Sequence, residues 1–219
     1  MAFPSDDRPF PDSLCHRCAA PPQYVRTAAS VFVRCPLSPE KYPRQPVRAC
    51  SLFRPPVLET ARLILRELTE ADLDFIAALV GDAEVMRHYP RTLSREEARG
   101  WIDRCAARYA RDGHALWLAI DKASREPVGQ IGLLSQTVDG VSEPEVAYLV
   151  HRPFWRRGFA SEAAAAVRDW AFSRGHDHVI SLIRPENLPS QGVARALGMH
   201  AGRHVQHAGL DHVVWRVER

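Results

Sequence analysis

The sequence predicts an α+β fold: a mixed, mostly antiparallel sheet flanked by helices, preceded by a small Cys-rich module. Three observations carry this. From Leu58 onward, β-type and helical runs follow the order β-α-α-β-β-β-α-β-α-β-β, which suits a single sheet with helices on its faces. A β-type run at Glu145–Val150 leads through a basic turn, Phe154-Trp-Arg-Arg-Gly158, into an Ala-rich helical run. The composition also breaks sharply: residues 1–56 hold 11 of the 17 prolines and four of the five cysteines. The break at Arg54-Pro-Pro56 divides the chain into a module at 1–55 and a domain at 56–219.

Within the domain each element has a local reason. Arg62-Leu-Ile-Leu-Arg-Glu67 reads as a strand. Thr69-Glu-Ala-Asp72 is a helix-start box, followed by Leu73, Phe75, Ile76, Leu79 and Val80 at helical spacing. Ser94-Arg-Glu-Glu97 is a second box, opening a helix that runs to about Arg111 and stops at Gly113. Strands are expected at Leu116–Asp121, Pro127–Leu134 and Glu145–Val150. A helix at 160–173 stops at Gly175, a strand spans His178–Ile183, and a short helix covers Ser190–Leu197 with Gly198 as its stop. Two strands, Ala201–His207 and Asp211–Val217, flank Gly209 and suggest a terminal hairpin. In the module one short strand, Ala28–Val33, is expected.

Bulk composition excludes some function classes. The 219 residues are 46% hydrophobic and 25% charged, ordinary for a globular protein. No apolar run approaches the ~18 residues of a membrane span, and the first ten residues lack a signal-peptide core. The expectation is a cytoplasmic protein without a membrane partner. Net charge is +3, but residues 1–56 hold eight Lys/Arg against four Asp/Glu, whereas residues 57–219 hold 21 against 22. The basic excess therefore belongs to the module.

The module has a spacing of its own, Cys15-x-x-Cys18, then Cys35, then Cys50. Four thiolates can close a tetrahedral structural zinc site, and a segment this poor in apolar residues needs a staple to fold. A disordered basic arm and an upstream-start extension are the alternatives. Cys105, mid-helix, reads as a small core residue. The histidines from His176 to His212 form no helical metal motif and read as surface or sheet-end residues.

The strand–turn–helix unit is a ready anion site. Helix N-termini carry N–H groups without partners and a dipole that favours negative charge. Arg156 and Arg157 add charge, and Gly158 allows close approach to the backbone. Further on stand Arg184-Pro-Glu-Asn187-Leu-Pro-Ser190-Gln and Leu197-Gly198-Met199. Together these stretches resemble the GCN5-related N-acetyltransferases (GNAT superfamily), and within it the RimJ/RimL-type group. The superfamily turn Q/R-x-x-G-x-G/A appears as Trp155-Arg-Arg-Gly158-Phe-Ala160; the aromatic first position departs from the general pattern and is similar to the RimJ/RimL-type subgroup. Met199 replaces that subgroup's terminal aromatic. The resemblance runs from about Pro56 to the C-terminus.

The resemblance implies acetyl-CoA as cosubstrate and a GNAT fold. It implies cofactor contacts from the pyrophosphate turn Arg156, Arg157, Gly158, Phe159, Ala160 and Ser161, and from Leu149, Val150 and His151 on the strand before it. It places the Val150 N–H as an oxyanion donor, Asn187 at the cofactor, and Ser190 near the sulfur, where its hydroxyl could protonate the leaving thiolate. Glu145 matches the acidic residue of the subgroup's Glu-Ile-Gly-Tyr pattern and could take the amine's proton; a solvated strand-end glutamate is the alternative. Tyr148, Phe154 and Trp155 read as packing residues. The implied activity is transfer of an acetyl group to a primary amine, on a protein N-terminus or a small molecule, by direct attack on the thioester. A second reading is a non-catalytic acyl-CoA sensor whose zinc-stapled module binds nucleic acid or the ribosome. A second copy of the chain, as a homodimer, is the remaining candidate partner.

Overall fold

A computed structural model describes residues 10, 13–18, 20, 22–35, 37–51, 53 and 55–219. Ten strands and four α-helices occur among them. The main sheet has eight strands in the order β3-β4-β5-β6-β7-β8-β10-β9: β3 (Leu58–Glu59), β4 (Leu63–Glu67), β5 (Leu116–Asp121), β6 (Pro127–Val138), β7 (Val141–Val150), β8 (His178–Ile183), β10 (Leu210–Glu218) and β9 (His200–His207). Every neighbouring pair is antiparallel except β7 and β8. The helices are α1 (Leu73–Gly81), α2 (Arg95–Asp112), α3 (Phe159–Ser173) and α4 (Leu188–Ala196). This is the expected mixed sheet flanked by helices.

Period-two alternation divides the core into two layers. All six residues of the central strand β5 are buried. Trp117 and Ala119 face Ala163, Ala164, Val167 and Ala171 of α3. Leu116, Leu118 and Ile120 face Ile76, Leu79 and Val80 of α1 and Ala98, Ile102 and Cys105 of α2. Cys105 is thus the core residue its position suggested. Both helix-start boxes form: Asp72 accepts from the Thr69 N–H, and Ser94 and Glu97 cap each other reciprocally. No described helix is long and apolar enough to cross a membrane.

The structure corrects the expected strand bounds in one place that matters. β6 runs on to Val138 and β7 begins at Val141, joined by an Asp139-Gly140 turn with both residues in the left-handed region. The polar ends of this hairpin, Ser135–Thr137 and Ser142–Glu143, lie beyond the apolar core, so alternation did not mark them. The expected terminal hairpin does form about Ala208-Gly209. In the module, β1 (Gln23–Arg26) and β2 (Val31–Arg34) form a hairpin where one strand was expected. Ala28 to Ser30 belong to its turn, closed by the Thr27 N–H donating to Ser30 O.

Candidate active site

The site begins where β7 and β8 part. They pair at a single register position, Glu145↔Ile180; beyond it Ser181 Oγ donates to Val146 O at 2.6 Å and the Leu182 N–H to Glu145 Oε1 at 3.3 Å before the strands separate. On its other side β7 stays zipped to β6 from Val141 to Val150. The register Gly129↔Val150, with the His151 N–H donating to Val128 O, makes this a non-hydrogen-bonded pair. By the antiparallel pattern, Tyr148 and Val150 turn their backbone N–H and C=O groups away from β6, into the fork. Gly129 permits the close approach this needs: a Cβ there would stand 2.3 Å from Leu149 O. Trp155 Nε1 donates to Val150 O at 2.6 Å, leaving the Val150 N–H facing the opening.

At the mouth of the fork lies the α3 N-terminus. Arg156 (φ 60°) and Gly158 (φ 77°) both take left-handed backbone, and Gly158 is the N-cap. The turn so formed presents the first N–H groups of α3. Glu162, one turn in, is anchored elsewhere: its carboxylate accepts from Thr60 Oγ1, Arg62 N and Arg62 Nε at 2.5, 2.8 and 2.5 Å. That anchor fixes the helix end to the β3–β4 turn, and Arg62 Nη1 also donates to Arg157 O.

At the apex sits Glu145. The longer β7 places it inside the strand, not at its end, and it is 7% exposed. Its Oε1 accepts from the Leu182 N–H at 3.3 Å and its Oε2 from Gln136 Nε2 at 3.0 Å. Burial pushes its pKa above the ordinary carboxylate value, against the pull of those two hydrogen bonds and of Arg108. Such a carboxylate is a better proton acceptor than an exposed one.

The opposite arm is the start of α4. Asn187 is its N-cap, with Oδ1 accepting from the Ser190 N–H at 3.2 Å. Capping therefore falls to Asn187, and the Ser190 hydroxyl lies within hydrogen-bonding reach of the Tyr148 phenol. Tyr148 OH donates to Ser190 O at 2.9 Å, tying β7 to α4 across the fork. Burial holds the Tyr148 phenol well above its ordinary pKa.

One cleft of about 1010 Å³ joins these parts, at the upper end of small-molecule sites. It brings together Glu145, Leu149, Val150, Arg156, Gly158, Phe159, Ala160, Ser161, Asn187 and Ser190. Two expected residues stand apart from its lining. His151 packs edge-on against Phe75, with ring centroids 5.7 Å apart. Arg157 lays its guanidinium over Phe154 and Phe159, at 5.2 and 4.9 Å. Tyr148, Phe154 and Trp155, expected only to pack, also line the cleft, as do Arg104 and Arg108 of α2. Trp101, Arg104, Cys105 and Arg108 follow helical spacing, the signal that could have placed them on one face.

The four module cysteines are free thiols and all line one cavity of about 20 Å³. Among the described residues no group of three or more Cys, His, Asp or Glu stands placed to hold a metal ion. The zinc site expected at Cys15, Cys18, Cys35 and Cys50 is therefore not assembled, although its four residues are gathered.

Comparison with known proteins bears on the family and the fold. Residues 62–200 match the family model of the acetyltransferase (GNAT) domain. The chain is 31% identical over 151 residues to the uncharacterized protein YkkB of Bacillus subtilis, covering 68% of this chain and 88% of that one. An acetyltransferase from Agrobacterium tumefaciens superposes with a TM-score of 0.66 at 26% identity, over 78% of this chain and 99% of that one. RimL, a ribosomal L7/L12 α-N-protein acetyltransferase solved with coenzyme A, shares the fold with a TM-score of 0.59 at 17% identity, over 74% and 97% of the two chains.

Proposed function

The chain belongs to the GNAT acetyltransferase family, and from that premise we propose that it moves the acetyl group of acetyl-CoA onto a primary amine, by direct attack within the β7–β8 fork. The observation that carries this reading is the open inner edge of β7 at Tyr148 and Val150, between the α3 N-terminus and a buried Glu145. Acetyl-CoA supplies the activated acyl group; the chain supplies the rest. The N–H groups at Phe159, Ala160 and Ser161, with Arg156, hold the pyrophosphate. Tyr148 and Val150 offer backbone partners to the pantetheine arm, and the Val150 N–H donates to the thioester oxygen as charge develops there. Asn187 keeps its amide NH2 for the cofactor. Glu145 takes the proton of the incoming ammonium, directly or through water, and Ser190 Oγ returns one to the departing sulfur. The acceptor is a protein N-terminal amine, as the likeness to RimL suggests, or a small amine. Family membership favours this enzyme over the non-catalytic sensor.

The test is mass-spectrometric detection of N-acetylated product from a panel of peptides and small amines. In that assay Ser190→Ala is expected to lower kcat and leave the acetyl-CoA Kd unchanged. Unchanged turnover would reduce Ser190 to a helix-start residue.

We further propose that residues 1–55 form a module distinct from the enzyme at 56–219, closed by zinc. That Cys15, Cys18, Cys35 and Cys50 all line one small cavity supports this, and the thiols must close in to reach Zn–S distances of about 2.3 Å. Its buried apolar residues are few, Cys18, Ala20 and Val33 among those described. The basic excess suits a polyanionic partner such as RNA or the ribosome. Native mass spectrometry is expected to show one zinc, lost on replacing Cys15 and Cys18 by Ser. A metal-free mass after purification with zinc present would leave the module a basic arm.

A further inference from the structure

Resting on the acetyl-transfer reading above, we infer that the acceptor amine carries a carboxylate, and that Arg104 and Arg108 of α2 recognise it. The charges on α2 divide by face. Arg95, Arg99 and Arg111 have acidic partners: Asp74 at 2.5 Å, Glu70 at 2.9 Å and Asp112 at 2.7 Å. Arg104 and Arg108 line the cleft and have no ion pair or hydrogen bond among the described residues. Arg104 only stacks over Trp101, at 5.8 Å. Helical spacing puts Trp101, Arg104, Cys105 and Arg108 on one face, part of the stripe that buries Ile102 and Cys105. A position beside the core normally takes an apolar residue. Arg108 is half-buried there and Arg104 is exposed at the cleft; an anion entering the cleft would give both guanidiniums a partner.

The surrounding charges sharpen the point. Of the other cleft-lining arginines near the apex, Arg87 is matched by Glu84 at 3.8 Å and Arg184 by Glu186 at 2.6 Å. Glu145 has Arg108 close enough to favour its charged form, yet the two make no ion pair. A carboxylate and a guanidinium that share a cleft without pairing can each take the opposite end of a zwitterion. The ammonium goes to Glu145 and the carboxylate to Arg108. Arg104 stands one turn away, about 6 Å along the helix axis, within reach of a carboxylate further from the amine. A bare amine or polyamine meets the same arginines as repulsion, so the wall also rejects wrong acceptors. The carboxylate could be that of a free amino acid or the side chain of an acidic residue next to a peptide N-terminus.

Two matched pairs of acceptors distinguish these sources: alanine against alaninamide, and alanyl-glutamate amide against alanyl-glutamine amide, with kcat/KM corrected for amine ionisation. The carboxylate member of at least one pair is expected to be favoured about tenfold or more. The first pair would point to amino acids, the second to acidic N-termini. In the Arg104→Gln/Arg108→Gln double variant that ratio is expected to fall close to one, with the acetyl-CoA Kd unchanged. A ratio within one protein preparation is insensitive to partial misfolding. Equal rates within both pairs, or a preference that survives the double substitution, would overturn the inference while leaving acetyl transfer standing. If the chain binds acetyl-CoA but acetylates no primary amine, the proposed function falls and this inference with it.

Discussion

Gly158→Asp is expected to weaken acetyl-CoA binding roughly a hundredfold. The new carboxylate would stand at the α3 N-terminus, where the pyrophosphate is proposed to lie. At about 5 Å and an effective dielectric near 20, each pair of like charges costs about 3 kcal/mol, which is roughly a hundredfold in Kd. Two other effects must be separated from this one. Gly158 has φ 77°, so a side chain there strains the backbone by about 1 kcal/mol. A Cβ would also come within 3.4 Å of Arg62 Nη2, the guanidinium that anchors Glu162. Gly158→Asn shares both effects and lacks the charge. Calorimetric titration of acetyl-CoA into the two variants isolates the electrostatic part. Asn is expected to lose up to about tenfold and Asp far more; equal affinities would remove this turn from the pyrophosphate site.

Glu145→Gln is expected to lower kcat by about 10²–10⁴ while leaving acetyl-CoA binding intact. Gln is isosteric and can still accept from the Leu182 N–H, with Gln136 turning its amide to match. The pH profile gives the sharper reading. Because burial raises the Glu145 pKa, the acid limb of kcat/KM in the native protein should lie above the ordinary glutamate value of about 4.3, and it should vanish in the variant. Stability provides a second check. A carboxyl whose folded pKa is raised adds stability that is complete below its unfolded pKa and lost as pH rises through the folded value. At neutral pH Glu145→Gln should therefore unfold at the same temperature as the native chain or higher. A clear fall in Tm with kcat retained would make Glu145 a structural brace across the β7–β8 apex.

Local chemistry in the sequence was enough to place most of the fold. Capping boxes at Thr69 and Ser94, the stop at Gly113 and the fully apolar β5 act over a few residues, and each element formed where those signals lie. The polar Asp139-Gly140 hairpin was missed because its arms project beyond the core. That omission mattered, since it put Glu145 at the head of its strand and left a solvated strand end open as an alternative, whereas it is buried at the fork. The fork itself is a relation between strands far apart in the chain, and no local pattern encodes where β7 and β8 part. The pyrophosphate turn was legible through its glycine and basic residues. Sequence could not tell that Arg156 lines the cleft while Arg157 stacks on Phe154 and Phe159. Arg104 and Arg108 read as part of an ordinary charged helix until the neighbouring arginines were seen with acidic partners and these two without. The module cysteines were found by spacing; the cavity they share depends on a hairpin and on a distant segment at Val47, whose C=O accepts from the Leu14 N–H.

Amide hydrogen exchange with and without acetyl-CoA tests the central claim most directly, because it locates the cofactor in the fold. The account predicts slowed exchange at Tyr148, Val150 and Phe159 to Ser161, whose N–H groups face the fork or open α3. Leu149, already paired with Gln130 of β6, should change little. Saturable binding that protects none of these amides, or that protects residues away from the β7–β8 fork, would contradict the account.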